Sequence, residues 1–125
     1  MWGMVSLAPV LIVEDDDDAR HMLRDFLGAH GYEVHTSKNG KEALDALQRI
    51  GGPCLIVLDL VMPVMNGWQF LSELKRTKRA AESAVIVLSA VADREKHDGF
   101  PSMDKPADFG KLLRLVNEYC PRRAH

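Results

Sequence analysis

Short apolar segments of strand length recur along the chain and alternate with segments whose apolar residues are spaced three or four positions apart. The five strand-like segments are Val10–Val13, Tyr32–Thr36, Leu55–Leu58, Val85–Leu88 and Phe100–Met103. The first and third are continuous aliphatic runs, which is typical of strands that are buried on both faces of a parallel sheet.

Helices are predicted where the apolar residues form stripes at helical spacing. The stripes run from Ala19 to Leu27, Ala43 to Ile50, Phe70 to Leu74 and Phe109 to Tyr119. Gly51-Gly52-Pro53 is expected to end the second stripe. The pair Asn39-Gly40 predicts a turn, and the pair Asn66-Gly67 predicts a break in the chain. Strands that alternate with helices in this way predict an α/β fold, in which a parallel sheet carries helices on both faces.

Polar residues stand where the predicted strands end. Glu14 and Asp15 follow the first strand, and Asp59 follows the third. Ser89 ends the fourth strand, and Lys105 comes after the fifth. Ligands of such sheets bind beyond the carboxyl ends of the strands, at a switch in strand order, so these five residues are expected to meet at one edge.

The first of these residues begin a block of five consecutive acids, Glu14–Asp18. Two carboxylates about 4 Å apart repel each other by roughly 1 to 4 kcal/mol, and a solvated acidic loop is the simplest interpretation of such a run. A hard divalent cation would reverse the repulsion, and magnesium suits carboxylate and phosphate oxygens. We therefore expect Glu14 and Asp15 to face a metal site, Asp16 to cap a helix, and the next two acids to lie in its first turn.

The composition is that of one globular domain: 125 residues, 46% of them hydrophobic. The net charge of −2 predicts no bulk attraction to nucleic acid or to an anionic membrane, and no apolar run is long enough to span a bilayer. Met1–Pro9 lacks the pattern of a signal peptide. The two cysteines make neither a zinc site nor a disulfide framework, so we expect a cytoplasmic protein with reduced thiols.

Four stretches of the chain, taken in order, resemble the receiver domain of two-component response regulators. They are VLIVEDDDDAR, LIVLDLVMPVMNGWQF, VIVLSA and DKPADF. Each piece alone is common, whereas the ordered set is specific and covers about residues 8–120. The resemblance implies a single receiver domain over residues 1–125, with a doubly wound, flavodoxin-like five-stranded parallel sheet in three α/β/α layers and a shortened fourth helix.

The resemblance also implies a role for each matching position. Asp59 would be the phosphoacceptor, and it would share a magnesium ion with three other groups. Asp15 would bind Mg2+ directly, Glu14 mainly through water, and Val61 through its backbone carbonyl. Ser89 would donate its hydroxyl to a phosphoryl oxygen.

Lys105 would pair with the transferred phosphoryl group, and its charge would help to offset that of the phosphate oxygens. A partner sensor histidine kinase or a phosphotransfer protein would supply this group, and an unidentified protein would receive the signal downstream. Such a module would catalyse only its own phosphorylation and dephosphorylation, so it is not expected to be an enzyme that turns over a substrate. No nucleic-acid or membrane partner is expected.

Two alternatives are open, one with the same fold and one with an aspartyl nucleophile on a doubly wound sheet. A pseudo-receiver would act as a phosphorylation-independent protein-interaction module, and the acid pair, Asp59, Ser89 and Lys105 argue against it. A phosphatase with an aspartyl nucleophile would usually carry a second acid two residues after that nucleophile. Val61 occupies that position, which argues against this chemistry.

The segment between Ser89 and Lys105 departs from the family. It is several residues shorter than usual and leaves room for about two helical turns, in Val91–Gly99. Ser102 stands where the family commonly has Tyr or Phe, and the neighbouring Pro101 removes a backbone donor from the fifth strand. These departures spare the residues of the phosphorylation chemistry and alter the surface that the family commonly uses for output.

We predict from this departure that phosphorylation changes the order of Val91–Gly99 rather than moving an aromatic side chain. Ser102 is too small to fill the space that such a side chain would take, and a helix of two turns depends on packing for its order. Amide hydrogen exchange with and without beryllofluoride and magnesium measures this change. Equal protection of Val91–Gly99 in both states, with a strong response in the last helix, would contradict the prediction.

Overall fold

Five parallel strands form one sheet in the computed structural model, which describes residues 7–59, 66–76, 83–89, 100–104 and 108–121. The strands are β1 (Val10–Val13), β2 (Val34–Ser37), β3 (Leu55–Asp59), β4 (Ala84–Ser89) and β5 (Ser102–Asp104). Their order across the sheet is β2-β1-β3-β4-β5. The chain runs outward from β1 to β2 and then crosses to β3, so the order of the strands switches between β1 and β3.

The described helices are α1 (Asp17–Ala29), α2 (Gly40–Ile50), α3 (Gly67–Lys75) and α4 (Phe109–Tyr119). They match the four predicted stripes. The shortened fourth helix, predicted for Val91–Gly99, lies outside the described residues and stays a prediction. Among the helices that the structure describes, none has both the length and the apolar character needed to cross a membrane.

Apolar side chains cover both faces of the sheet. On one face α2 and α3 pack on the strands, and the buried residues include Leu11, Val13, Ala46, Leu47, Ile56, Leu58, Phe70 and Leu74. On the other face α1 and α4 pack on Val10, Ile12, Leu55 and Val57, through Leu23, Leu27, Leu112 and Val116. Neighbouring residues of one strand enter opposite clusters because successive side chains of a strand point to opposite faces. The predicted doubly wound, three-layer α/β/α fold is confirmed.

The second strand begins two residues later than the predicted Tyr32–Thr36. The backbone N–H of Tyr32 donates to the carbonyl of Leu27 at 3.2 Å, so it closes the end of α1 instead of joining the sheet. Gly31 makes this reversal possible, since its φ of 90° is in the left-handed region that favours glycine. β2 accordingly begins at Val34, which pairs with Val10 of β1.

Both Asn-Gly pairs begin helices, whereas the sequence predicted a turn at the first pair and a break in the chain at the second. The side chain of Asn39 accepts a hydrogen bond from the backbone of Glu42 at 2.9 Å and caps α2. Asn66 caps α3 in the same way, and its own backbone N–H donates to the side-chain oxygen of Gln69 at 3.0 Å. Each cap satisfies a backbone donor that the first turn of the helix leaves without a partner inside the helix.

Two residues of α1 test the division between its buried and exposed faces. Leu27 is fully buried, whereas Met22 is 55% exposed. We expect Leu27→Ala to lower the free energy of unfolding by roughly 2 to 5 kcal/mol. Met22→Ala, as the matched control, should change it by less than about 0.5 kcal/mol. Denaturant titration measures both values, and equal losses would contradict the packing of α1 described above.

Candidate functional site

The register of β1 and β3 brings the first acid of the block next to Asp59. Val13 of β1 pairs with Leu58 of β3, so the residues that follow them, Glu14 and Asp59, lie level at the carboxyl edge of the sheet. This edge is also the point at which the strand order switches. A site at this position is what the fold class predicts.

Three carboxylates converge there. One oxygen each from Glu14, Asp15 and Asp59 lies within 4.8 Å of the other two. Glu14 and Asp59 are only 1% and 3% exposed, while Asp15 is open to solvent. Carboxylates this close together repel one another when they are ionised. A set of three hard oxygen donors, one of them open to solvent, therefore fits a divalent cation such as Mg2+.

The rest of the acidic block serves the start of α1, as the sequence predicted. Asp16 is the N-cap residue, and its side chain accepts a hydrogen bond from the backbone N–H of Ala19 at 3.0 Å. Asp17 and Asp18 lie in the first turn, where negative charge interacts favourably with the helix dipole. The predicted role of these three acids at the start of α1 is confirmed.

A buried arginine that sequence reasoning missed contacts the backbone of Glu14–Asp16, the acidic loop between β1 and α1. The side chain of Arg20 is 6% exposed, and its Nη1 donates to the backbone carbonyls of Glu14 at 3.1 Å and Asp15 at 3.4 Å. Its Nη2 pairs with the carboxylate of Asp17. The hydrogen bond from Arg20 is the main reason that the pKa of the Asp17 carboxyl lies below its usual value. The positive charge of the guanidinium lowers this pKa further.

The sequence did hold a weak signal for this arginine. Arg20 follows Asp17 by three positions, and oppositely charged residues at this spacing on a helix are neighbours. A surface pair is the ordinary interpretation of that spacing, because arginine is rarely buried unless it is paired. Its burial depends on how α1 packs on the sheet, which the local sequence does not specify.

Of the remaining predicted site residues, Ser89 lies within the part of the chain that the structure describes. Ser89 is the last residue of β4, and it comes one position after Leu88, which pairs with Asp59. Its backbone is therefore at the carboxyl edge that carries the acidic cluster. Val61 and Lys105 lie outside the described residues, so their predicted roles stay predictions.

A family model for the response regulator receiver domain matches residues 10–116. Protein PilH of Pseudomonas aeruginosa is 33% identical over 119 residues, which are 89% of this chain and 96% of that protein. Other curated relatives are longer, and the chain spans between 25% and 53% of the length of three of them.

Solved structures are similar over most of the chain. Chemotaxis protein CheY4 of Vibrio cholerae superposes with a TM-score of 0.80 and 27% identity, over 91% of this chain and 99% of that one. Response regulator protein TrrA of Thermotoga maritima, solved in complex with Mg(2+)-BeF, has a TM-score of 0.79 and 27% identity. The aligned region covers 90% of this chain and 98% of TrrA.

Asp15 belongs to the acidic cluster, whereas Asp18 lies in the first turn of α1. Substitution of each residue therefore tests the proposed division of the acidic block. We expect Asp15→Ala to weaken Mg2+ binding roughly tenfold or more, because it removes an oxygen of the acidic cluster. The same change should stabilise the metal-free fold, since it relieves repulsion between carboxylates. Asp18→Ala is the matched control and should leave Mg2+ affinity nearly unchanged. Calorimetric titration measures both affinities, and an equal loss in the two variants would contradict the division.

Proposed function

Because the chain belongs to the response regulator receiver family, we propose that it accepts a phosphoryl group on Asp59 and signals by a phosphorylation-dependent conformational change. The observation that carries this proposal is the buried carboxylate of Asp59 within 4.8 Å of the oxygens of Glu14 and Asp15. A buried acid at a metal-binding edge is suited to nucleophilic chemistry, since its surroundings can be held in one arrangement.

We infer that Glu14, Asp15, Asp59 and the backbone carbonyl of Val61 hold Mg2+. Support comes from the oxygen character of the donors, from their closeness, and from the related TrrA, which was solved with Mg(2+)-BeF. When bound, Mg2+ supplies positive charge that offsets the negative charge of the phosphoryl oxygens. Asp15 is exposed to solvent, whereas Glu14 and Asp59 are buried.

In the proposed transfer, a carboxylate oxygen of Asp59 forms a bond to the phosphorus of a phosphohistidine. The phosphorus–nitrogen bond breaks, and its electron pair leaves with the imidazole of the donor. Ser89 would donate a hydrogen bond to a phosphoryl oxygen, and Lys105 would pair with the charge of the group. Positioning and charge stabilisation contribute most of the catalysis in phosphoryl transfer, so these few groups suffice.

The proposed partners follow from this chemistry. A sensor histidine kinase or a phosphotransfer protein would donate the group, and a downstream protein would recognise the phosphorylated state. We propose that residues 1–125 form one receiver domain with its core at about 8–120, that it acts in the cytoplasm, and that it hydrolyses its own acyl phosphate. A receiver domain is a signalling module rather than an enzyme with a separate substrate.

Phosphorylation by a small donor tests the proposal without the partner kinase. With magnesium and acetyl phosphate, the protein should gain the mass of one phosphoryl group, as acetate leaves. Asp59→Asn should abolish this gain, because an amide cannot act as the nucleophile. Asp45→Asn is the matched control: Asp45 is an exposed aspartate on α2, so this variant should be labelled like the unchanged protein.

Intact-mass spectrometry measures each product. Unchanged labelling of Asp59→Asn would show that another residue is the acceptor. If the unchanged protein gains no phosphoryl group and does not respond to beryllofluoride, the pseudo-receiver alternative would replace the proposal.

A further inference from the structure

Arg20 supports the two acids that begin the acidic block through their backbone. Its guanidinium donates to the carbonyl oxygens of Glu14 and Asp15, at 3.1 and 3.4 Å from one nitrogen. These are the two residues whose side chains join Asp59 in the acidic cluster. A single side chain thus holds the backbone of two of the three acids.

The charge of the arginine is compensated on its other side. Its second terminal nitrogen pairs with Asp17, which lies in the first turn of α1. A buried charge is costly unless it is paired and hydrogen-bonded, and here both conditions are met. The planar, rigid fork of the guanidinium is suited to such a position, because each nitrogen has a fixed direction.

Two further contacts hold the same loop. The backbone N–H of Glu14 donates to the carbonyl of Ser37 at the end of β2, at 3.1 Å. Asp16 caps α1 through Ala19. The backbone from Glu14 to Asp16 is therefore fixed from β2, from the helix start and from Arg20. Of these supports, Arg20 is the one that reaches the carbonyls of both acids.

We infer that Arg20 is a positioning residue, which holds Glu14 and Asp15 in the arrangement that binds a divalent cation. The inference rests on the proposed magnesium site. Groups that orient metal ligands without touching the metal typically change metal affinity by roughly 10- to 100-fold when they are replaced. Arg20 meets this description through the backbone of its two neighbours.

The charge and the positioning of Arg20 have opposite effects on Mg2+ binding, and this makes the inference testable. A positive charge near the site repels a cation, so its removal alone would strengthen binding. Loss of the two carbonyl contacts would release the acidic loop and weaken binding. The direction of the change in affinity therefore separates the two roles.

The experiment is calorimetric titration of Mg2+ into the unchanged protein and three variants. Arg20→Gln should bind Mg2+ roughly 10- to 100-fold more weakly. Arg20→Lys keeps the charge but lacks the planar fork, so it should also bind more weakly. Arg24→Gln is the matched control, since Arg24 lies one turn later on α1, is 46% exposed and pairs with Asp25. Its affinity should change less than twofold.

Unfolding without Mg2+ is measured in parallel, so that each affinity is taken from folded protein. If Arg20→Gln binds Mg2+ as tightly as the unchanged protein or more tightly, or loses no more affinity than Arg24→Gln, the inference is overturned. If Arg20→Gln does not fold, Arg20→Lys decides: weaker binding supports positioning, and unchanged binding overturns it. If the unchanged protein itself binds no Mg2+, the proposed magnesium site fails, and that outcome is distinct from failure of the role of Arg20.

Discussion

Repulsion between carboxylates at the switch between β1 and β3 is the constraint on which the rest of the structure depends. The register of two buried strands makes Glu14 and Asp59 neighbours, and the turn after β1 adds Asp15 to them. The oxygens of the three side chains lie within 4.8 Å of one another, and two ionised carboxylates about 4 Å apart repel each other by roughly 1 to 4 kcal/mol, depending on the local dielectric. A fold that keeps this cluster must compensate it, and a divalent cation does so most directly.

The surrounding elements support the edge of the sheet that carries the acidic cluster. The sheet is apolar on both faces, so the strands that carry Glu14 and Asp59 are held by burial on either side. The polar compensation is concentrated in the first turn of α1, where Asp16 caps the helix and Arg20 contacts the acidic loop. Stability and the proposed chemistry therefore share the same few residues. A substitution in the loop after β1 would therefore alter both the start of α1 and the arrangement of the acidic cluster.

Much of this arrangement follows from local sequence. Continuous aliphatic runs predicted β1 and β3, and acids at their ends predicted the convergence of Glu14, Asp15 and Asp59, because parallel strands end at one edge. The start of β2 could not be predicted, since it depends on a hydrogen bond from Tyr32 back to α1. Burial of Arg20 could not be predicted either, because it arises from the packing of α1 on the sheet. The sequence thus predicted the position of the acids but not the buried Arg20 that contacts their backbone.

Stability as a function of Mg2+ concentration is the most direct measurement of the central claim, that the acidic cluster is a magnesium site in the folded protein. The unchanged protein is unfolded with denaturant over a series of Mg2+ concentrations at constant ionic strength. A ligand that binds only the folded state raises the free energy of unfolding by about 2.7 kcal/mol at a hundredfold excess over its Kd. We expect the free energy of unfolding to follow this relation. A value that does not change with Mg2+ at constant ionic strength would contradict the claim.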